Sequence, residues 1–322
     1  MQKRLIQAGV LLAFSSPSMA YTLIDTDIAY WNVYGTLKAS AKFLDGRDND
    51  YTFGDSEIGT RARYSIFDTL SIAAGVEANV NLDPDEERDE DDLDMSEYYA
   101  GISLQNFGTV TYGKHATSSD DVAAVDYSEI YGGKASLNAV GEKDEAIKYT
   151  YNTELLRLNA TYGFPNGDNQ RELKELFGSY RIIDLKIQAG IGNSKTETTY
   201  RRQESTYTQL SFFYNYIDYE LGTTYYYNKS ENKNNSLRDQ DSHALAFAGQ
   251  LAITPDLTSF GGIEYITRES KTDSLDGDEQ NVYLGAKYLF ADLIRVYAEA
   301  NYRKTLSGES QMNYGIGAGM SF

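Results

Sequence analysis

Cysteine is absent from the 322 residues, proline occurs only 4 times, histidine twice and tryptophan once. Without cysteine there is no disulfide staple and no thiol chemistry. Two histidines, His115 and His243, leave few ways to build a histidine-based catalytic set, so an enzyme is not expected. No apolar run approaches the ~18 residues a membrane-spanning helix needs. Basic residues are also scarce, 29 Lys and Arg against 48 Asp and Glu. That balance repels phosphate and argues against nucleic acid as a partner.

What is abundant is tyrosine, 28 residues, and glycine, 27. Mean hydropathy is −0.51, which taken alone describes a water-soluble chain. A membrane barrel of strands is compatible with the same value, because only alternate residues face lipid and the interior is polar. At the start, Lys3 and Arg4 precede an apolar stretch from Leu5 to Phe14, and Ser18-Met19-Ala20 is a small-x-small cleavage site. Residues 1–20 are therefore expected to be a secretory signal peptide, and residues 21–322 a single barrel domain. The mature part holds 27 basic residues against 48 acidic ones, a formal charge of −21. No linker, composition shift or long repeat divides it.

At the other end, Tyr314, Ile316, Ala318, Met320 and Phe322 alternate with Gly315, Gly317, Gly319 and Ser321. Period two gives a strand with one apolar face and one small or polar face. The same alternation runs through Leu70 to Asn81, Leu156 to Gly163 and Ile294 to Arg303. Seven short turns recur, over 67–69, 105–108, 152–154, 181–184, 216–218, 253–256 and 290–292. Eight longer polar stretches lie between them, near 44–51, 83–93, 116–143, 164–173, 193–203, 230–240, 269–277 and 305–310. Fifteen connections imply sixteen strands of roughly nine to twelve residues, enough for a tilted membrane crossing. Short and long connections alternate strictly. That is the mark of an antiparallel meander with turns on one side of a membrane and loops on the other. Tyr149, Tyr151, Tyr214, Tyr219, Tyr225 and Tyr288, near strand ends, are expected in interfacial girdles.

A closing aromatic, sixteen strands and a long third connection resemble the general diffusion porins of Gram-negative bacteria. The resemblance covers the mature chain and is strongest over residues 98–115, a strand, a Phe-Gly turn and a strand ending Gly-Lys that leads into the third loop. Asn32 to Gly35 and residues 55–59 resemble the family's first two strands. The resemblance implies an all-β fold, a 16-stranded antiparallel transmembrane β-barrel with an inward-folded third loop. It also implies an outer-membrane location among lipid and lipopolysaccharide, a homotrimer, and passive diffusion of small hydrophilic solutes without a cofactor or metal. The family's inner turn maps onto residues 128–133, which makes Glu129 the constriction acid and Asp126 its near neighbour. Asp120 and Asp121 open the same loop.

The facing wall departs from the family. Glu57, Ser96 and Asp144 stand where its arginines are expected. The inward cations nearby are Lys38 and Lys42, Arg61 and Arg63, and Lys148 after the loop. Such a lumen leans towards cations, because rings of acids favour them. The acidic stretch 83–92 reads as a solvated loop, a contact with a neighbouring subunit or a divalent-cation site without EF-hand spacing. Two other functions stay open. One is an oligosaccharide-selective channel with an aromatic track of Phe213, Tyr226, Tyr283 and Tyr297; the other is a non-conducting adhesive barrel. Outward Gly35, Ala39, Ala41 and Ala318 are small enough for close subunit packing.

Overall fold

A computed structural model describes residues 20–322 except 55, 81–92, 123, 139, 167–169, 199, 201 and 291–292. Residues 1–19 of the expected signal segment, the acidic stretch 83–92 and part of the seventh turn therefore lie outside the described residues. The strands are β1 Tyr21–Asp25, β2 Ala29–Phe43, β3 Asp50–Thr52, β4 Ser56–Phe67, β5 Leu70–Val80, β6 Leu93–Leu104, β7 Gly108–Ala116, β8 Glu142–Asn152 and β9 Leu156–Gly163. They continue as β10 Arg171–Ile182, β11 Leu185–Glu197, β12 Arg202–Tyr216, β13 Tyr219–Asn232, β14 Gln240–Ala252, β15 Leu257–Ser270, β16 Gly277–Phe290, β17 Ile294–Lys304 and β18 Ser310–Ser321.

Sixteen of these close into an antiparallel barrel. Each strand from β4 to β18 pairs with the next, and β2 completes the ring between β18 and β4. The short β1 and β3 extend the two edges of β2. Closure leaves the barrel strands with no exposed edge, so their backbone polar groups are satisfied without water, as hydrocarbon surroundings demand.

Alternation sorts the side chains as the sequence predicts. Leu176 and Ile191 stand outside at 55% and 51% exposure, whereas Glu175 and Gln188 on the same strands are buried inside. The sixteen barrel strands run from 8 to 15 residues, longer than expected on β2 and on β11 to β16. At ~3.4 Å per residue, a 15-residue strand such as β12 exceeds the ~30 Å hydrocarbon layer. The excess is charged on its outer face. Lys174 pairs with Glu172 at 2.8 Å, Lys195 with Glu197 at 2.9 Å and Lys229 with Glu231 at 2.9 Å, all at the long-loop end.

Two devices shape the wall. First, inward aromatic rings lie flat over glycines of the neighbouring strand: Tyr34 over Gly59, Tyr99 over Gly75, Tyr283 over Gly262 and Phe260 over Gly285. A Cβ added to any of these glycines would come within 2.5 Å of the ring. Second, the C-terminus seals the seam. Gly35 and Phe322 exchange backbone hydrogen bonds of 2.9 and 3.0 Å, and the Phe322 ring covers Gly35 on the outer face. Gly35 is therefore the seat of the terminal aromatic and is not free for subunit packing, contrary to the expectation from its size.

Candidate functional site

The third connection, residues 117–141, leaves β7 and returns to β8, but its contacts are with the far wall. Its root is closed by Thr117 N–H donating to Gly141 O at 2.8 Å. The Glu175 carboxylate of β10 then accepts from Ser118 N–H at 2.6 Å and Ser119 N–H at 3.3 Å, and from the Tyr207 hydroxyl. Further along, Gln209 donates to Val122 O at 3.0 Å, and Val125 N–H donates to Thr224 at 3.0 Å. Apolar packing follows the same course. Val122 and Val140 are buried with Leu173, Phe177 and Tyr207, while Val125, Tyr131 and Ala135 are buried among Phe213, Tyr226, Phe260 and Tyr283. These are inward residues of β10 to β16, so the connection lies against the inner face of that wall.

This packing disposes of the aromatic track. Phe213, Tyr226 and Tyr283 do point inward, but they form the bed of the connection, and with Tyr297 none exceeds 8% exposure. Oligosaccharide stacking needs open ring faces, which these residues do not offer.

The tip, residues 128–132, is built around one acid that sequence reasoning missed. Glu299 of β17 accepts from the Ser128 hydroxyl at 2.7 Å, from Ile130 N–H at 3.1 Å and Tyr131 N–H at 3.3 Å, and from Glu129 N–H. The Ser128 hydroxyl in turn accepts from Tyr131 N–H at 2.8 Å and Gly132 N–H at 2.7 Å. Successive backbone N–H groups make an anion-binding nest, and Glu299 fills it. The tip is also tied by Tyr131 O–H to Tyr314 O and by Asn281 to Tyr131 O at 2.8 Å.

Held this way, the Glu129 side chain meets three cations: Arg295 at 3.3 Å, Lys38 at 3.5 Å and Lys287 at 3.7 Å. Of these, only Lys38 is singled out by the sequence. Lys287 and Arg295 come from β16 and β17, remote in sequence from the loop, although alternation alone already puts Arg295 and Glu299 on the inner face of β17. Asp121 is paired to Lys148 at 2.7 Å and Arg157 at 3.4 Å. Arg61 lies 4.6 Å over the Tyr34 ring, with Glu77 at 3.7 Å and Glu97 at 3.9 Å.

Other candidates sit elsewhere. Lys42 is held by Asp50 at 2.9 Å, near the long-loop end. Arg63 is exposed between Tyr30 and Ala73 in the short-turn half of β4. Glu57 lies on β4 between Thr36 and Asn79. Ser96 and Asp144 do not substitute for arginines: Ser96 donates to Glu77 at 3.1 Å, and Asp144 lies 3.9 Å from Lys114.

Asp120 and Asp126 have no ion pair within 4.0 Å among the described residues. Each keeps a face towards lumen water but is surrounded by protein. That burial, reinforced for Asp120 by Asp121, pushes its carboxyl up to about 6. Asp126 is likewise pushed up to about 6, by burial and by the nearby Glu264 and Glu299, against the opposing pull of hydrogen bonds from Ser128 N–H and the Tyr283 hydroxyl. The two histidines lie on opposite faces of the wall. His115 stacks on Tyr99 at 4.7 Å inside the barrel, and His243 bonds the Tyr225 hydroxyl at 2.7 Å on the outside.

Known proteins share this architecture. A family model described as Gram-negative porin matches residues 8–308. A major outer membrane protein of Pasteurella multocida (strain Pm70) is 23% identical over 311 residues, 94% of this chain and 84% of that protein. A loop L8 deletion mutant of OmpT, an outer membrane protein of Vibrio cholerae, superposes with a TM-score of 0.80 at 30% identity, covering 92% of this chain and 100% of that one. In its trimer form OmpT aligns with a TM-score of 0.79 at 28% identity, over 92% of this chain and 100% of that one. An anion-selective porin from Comamonas acidovorans shares the fold, with a TM-score of 0.75 at 13% identity over 91% of this chain and 100% of that one. This chain belongs to the Gram-negative porin family: it is a channel of the outer membrane, not an enzyme.

Proposed function

We propose that this porin is a general diffusion channel, a passive, water-filled path for small hydrophilic solutes and ions that leans towards cations and works as a homotrimer among outer-membrane lipid and lipopolysaccharide. The observation that carries the reading is the anchorage of the third connection to the inner wall of β10 to β17. The path then runs between that connection and the wall of β2 to β6. Asp120, Asp121, Asp126 and Glu129 form one side of the constriction, and Lys38, Glu57, Arg61 and Lys148 line its margins. Lys287 and Arg295 join Lys38 around Glu129, while Lys42 and Arg63 serve the approaches at the two ends.

Cation preference rests on what is left after pairing. Glu129 meets three cations and Asp121 two, so the cation lean rests on Asp120 and Asp126 together with Glu264 and Glu299, which face the same connection. Apolar solutes are disfavoured because they unpair polar wall groups and displace ordered water. The first test is single-channel conductance in a planar bilayer, with the reversal potential in a salt gradient. Stepwise ohmic openings in triplets with a cation-leaning reversal potential are expected. An anion-leaning potential overturns the charge argument, and no conductance at all leaves a structural or adhesive barrel.

A further inference from the structure

A cavity of about 340 Å³ opens between the return limb of the third connection, at Leu137 and Asn138, and the inner face of β10 to β15. It lies towards the long loops, where it shares Gln203, Ser230 and Gln240 with a wider cavity of about 580 Å³. Its wall is made of hydroxyls and amides in two rungs. Ser194, Ser205 and Ser230 lie abreast on β11 to β13, and Asn228, Ser242 and Arg268 lie abreast on β13 to β15. In a chain of formal charge −19, this lining holds two arginines and no carboxylate.

Two polar atoms of the lining are shielded from water and have no hydrogen-bond partner among the described residues: Arg171 Nε, a donor, and Asn138 Oδ1, an acceptor. Arg171 also has no ion pair within 4.0 Å among the described residues. Arg268 shares the Glu279 carboxylate with Arg303, so that trio keeps one positive charge. A guanidinium with no carboxylate beside it among the described residues, in a protein so rich in acids, marks a place for an anion that comes from outside. Arginine suits a carboxylate, which its planar fork grips at two points. The serine, asparagine and glutamine rungs both donate and accept, which matches alcohol groups. No aromatic side chain lines this cavity among the described residues, so it lacks the stacking face on which a neutral sugar rests.

We propose that this cavity binds a small polyhydroxylated carboxylate, a solute of the sugar-acid class, at the outer mouth of the channel. Its carboxylate accepts from the Arg171 guanidinium, and its hydroxyls meet the rung of Ser194, Ser205 and Ser230. The site stands above the constriction and uses none of the constriction acids. The solute therefore rests at the mouth and narrows the path for ions while bound.

The test is calorimetric titration of the detergent-solubilised barrel with glucuronate, glucose and acetate, followed by glucuronate addition on the loop side of a planar bilayer. Glucuronate is expected to bind at least about tenfold tighter than either glucose or acetate, and Arg171→Gln to remove about tenfold of that affinity. Heat-modifiable electrophoretic mobility checks that the variant folds. If it does not, Ser205→Leu, which fills the cavity from the other side, must abolish glucuronate binding. Equal binding of glucuronate and acetate, or an unchanged affinity in a folded Arg171→Gln or Ser205→Leu, overturns the proposal. The inference rests on the channel reading only for its electrical arm. A barrel that binds glucuronate without conducting sinks the channel reading alone, and a conducting barrel blind to glucuronate sinks the site alone.

Discussion

A single carboxylate decides how firmly the third connection is held. Glu299 answers the backbone N–H groups of Glu129, Ile130 and Tyr131 and the Ser128 hydroxyl, and hydrogen bonds to an ionised acceptor are worth ~1.5–3 kcal/mol. Glu299→Gln keeps the shape and removes the charge. It is expected to weaken the tip by about 2 kcal/mol, seen as faster amide exchange at residues 129–131 and flickering single-channel currents. Unchanged exchange would mean that apolar packing of Val125 and Tyr131 suffices. The positions of Glu129 and Asp126 were legible in the sequence because a short motif announces the turn. Glu299, Lys287 and Arg295 carry no such motif. Their parity was readable, but which inward residue of a distant strand meets the loop depends on how far the chain reaches across the barrel, and local pattern does not contain that.

At the level of strands, the number and order were written in the connections. Each of the seven short turns carries Asp, Asn, Gly or Pro in its sequence, residues that favour turns, although in two of them the left-handed position is taken by Ile183 and Ile217. Strand length was less legible. Polar residues such as Lys195, Thr196 and Glu197 read as loop, yet they continue the β11 ladder to Glu204, Gln203 and Arg202 of β12 above the apolar band. Backbone pairing goes on after the lipid-facing pattern has stopped. The seam between β18 and β2 is the element most exposed to a single change. A side chain at Gly35 would meet the Phe322 ring at 2.8 Å and the Glu57 carbonyl oxygen at 2.9 Å. Gly35→Val is expected to cost about 1–3 kcal/mol through overpacking. Urea unfolding midpoints in detergent measure this, and a midpoint equal to the parent's would show that the ring swings aside freely.

The molecule as a whole carries its acid excess through a wall of compensated charge, and pH separates the two. Asp120 and Asp126 have carboxyls raised to about 6, so both are ionised above that pH and neutral below it. Cation preference is therefore expected to fall as pH is lowered from about 7.5 to about 5, and the reversal potential follows it. A variant with both residues changed to Asn should show little of this dependence. The same shift has the opposite sign for stability. A carboxyl raised by burial favours the folded loop in acid, and this contribution is lost as pH rises through about 6. Resistance of the third connection to proteolysis should then be greater at about pH 5 than at about pH 7.5.

The rings laid over glycines make the bore a quantity that single hydrogens control. Tyr34 rests on Gly59 and has Arg61 4.6 Å over its ring, so the depth of this cation is tied to the absence of one methyl group. Gly59→Ala would lift the phenol and the guanidinium together towards the water column. Unit conductance should drop, and adding Tyr34→Ala should restore it. Caliber is thus adjustable in steps of about one carbon atom without altering strand count, tilt or any residue that touches a permeating solute.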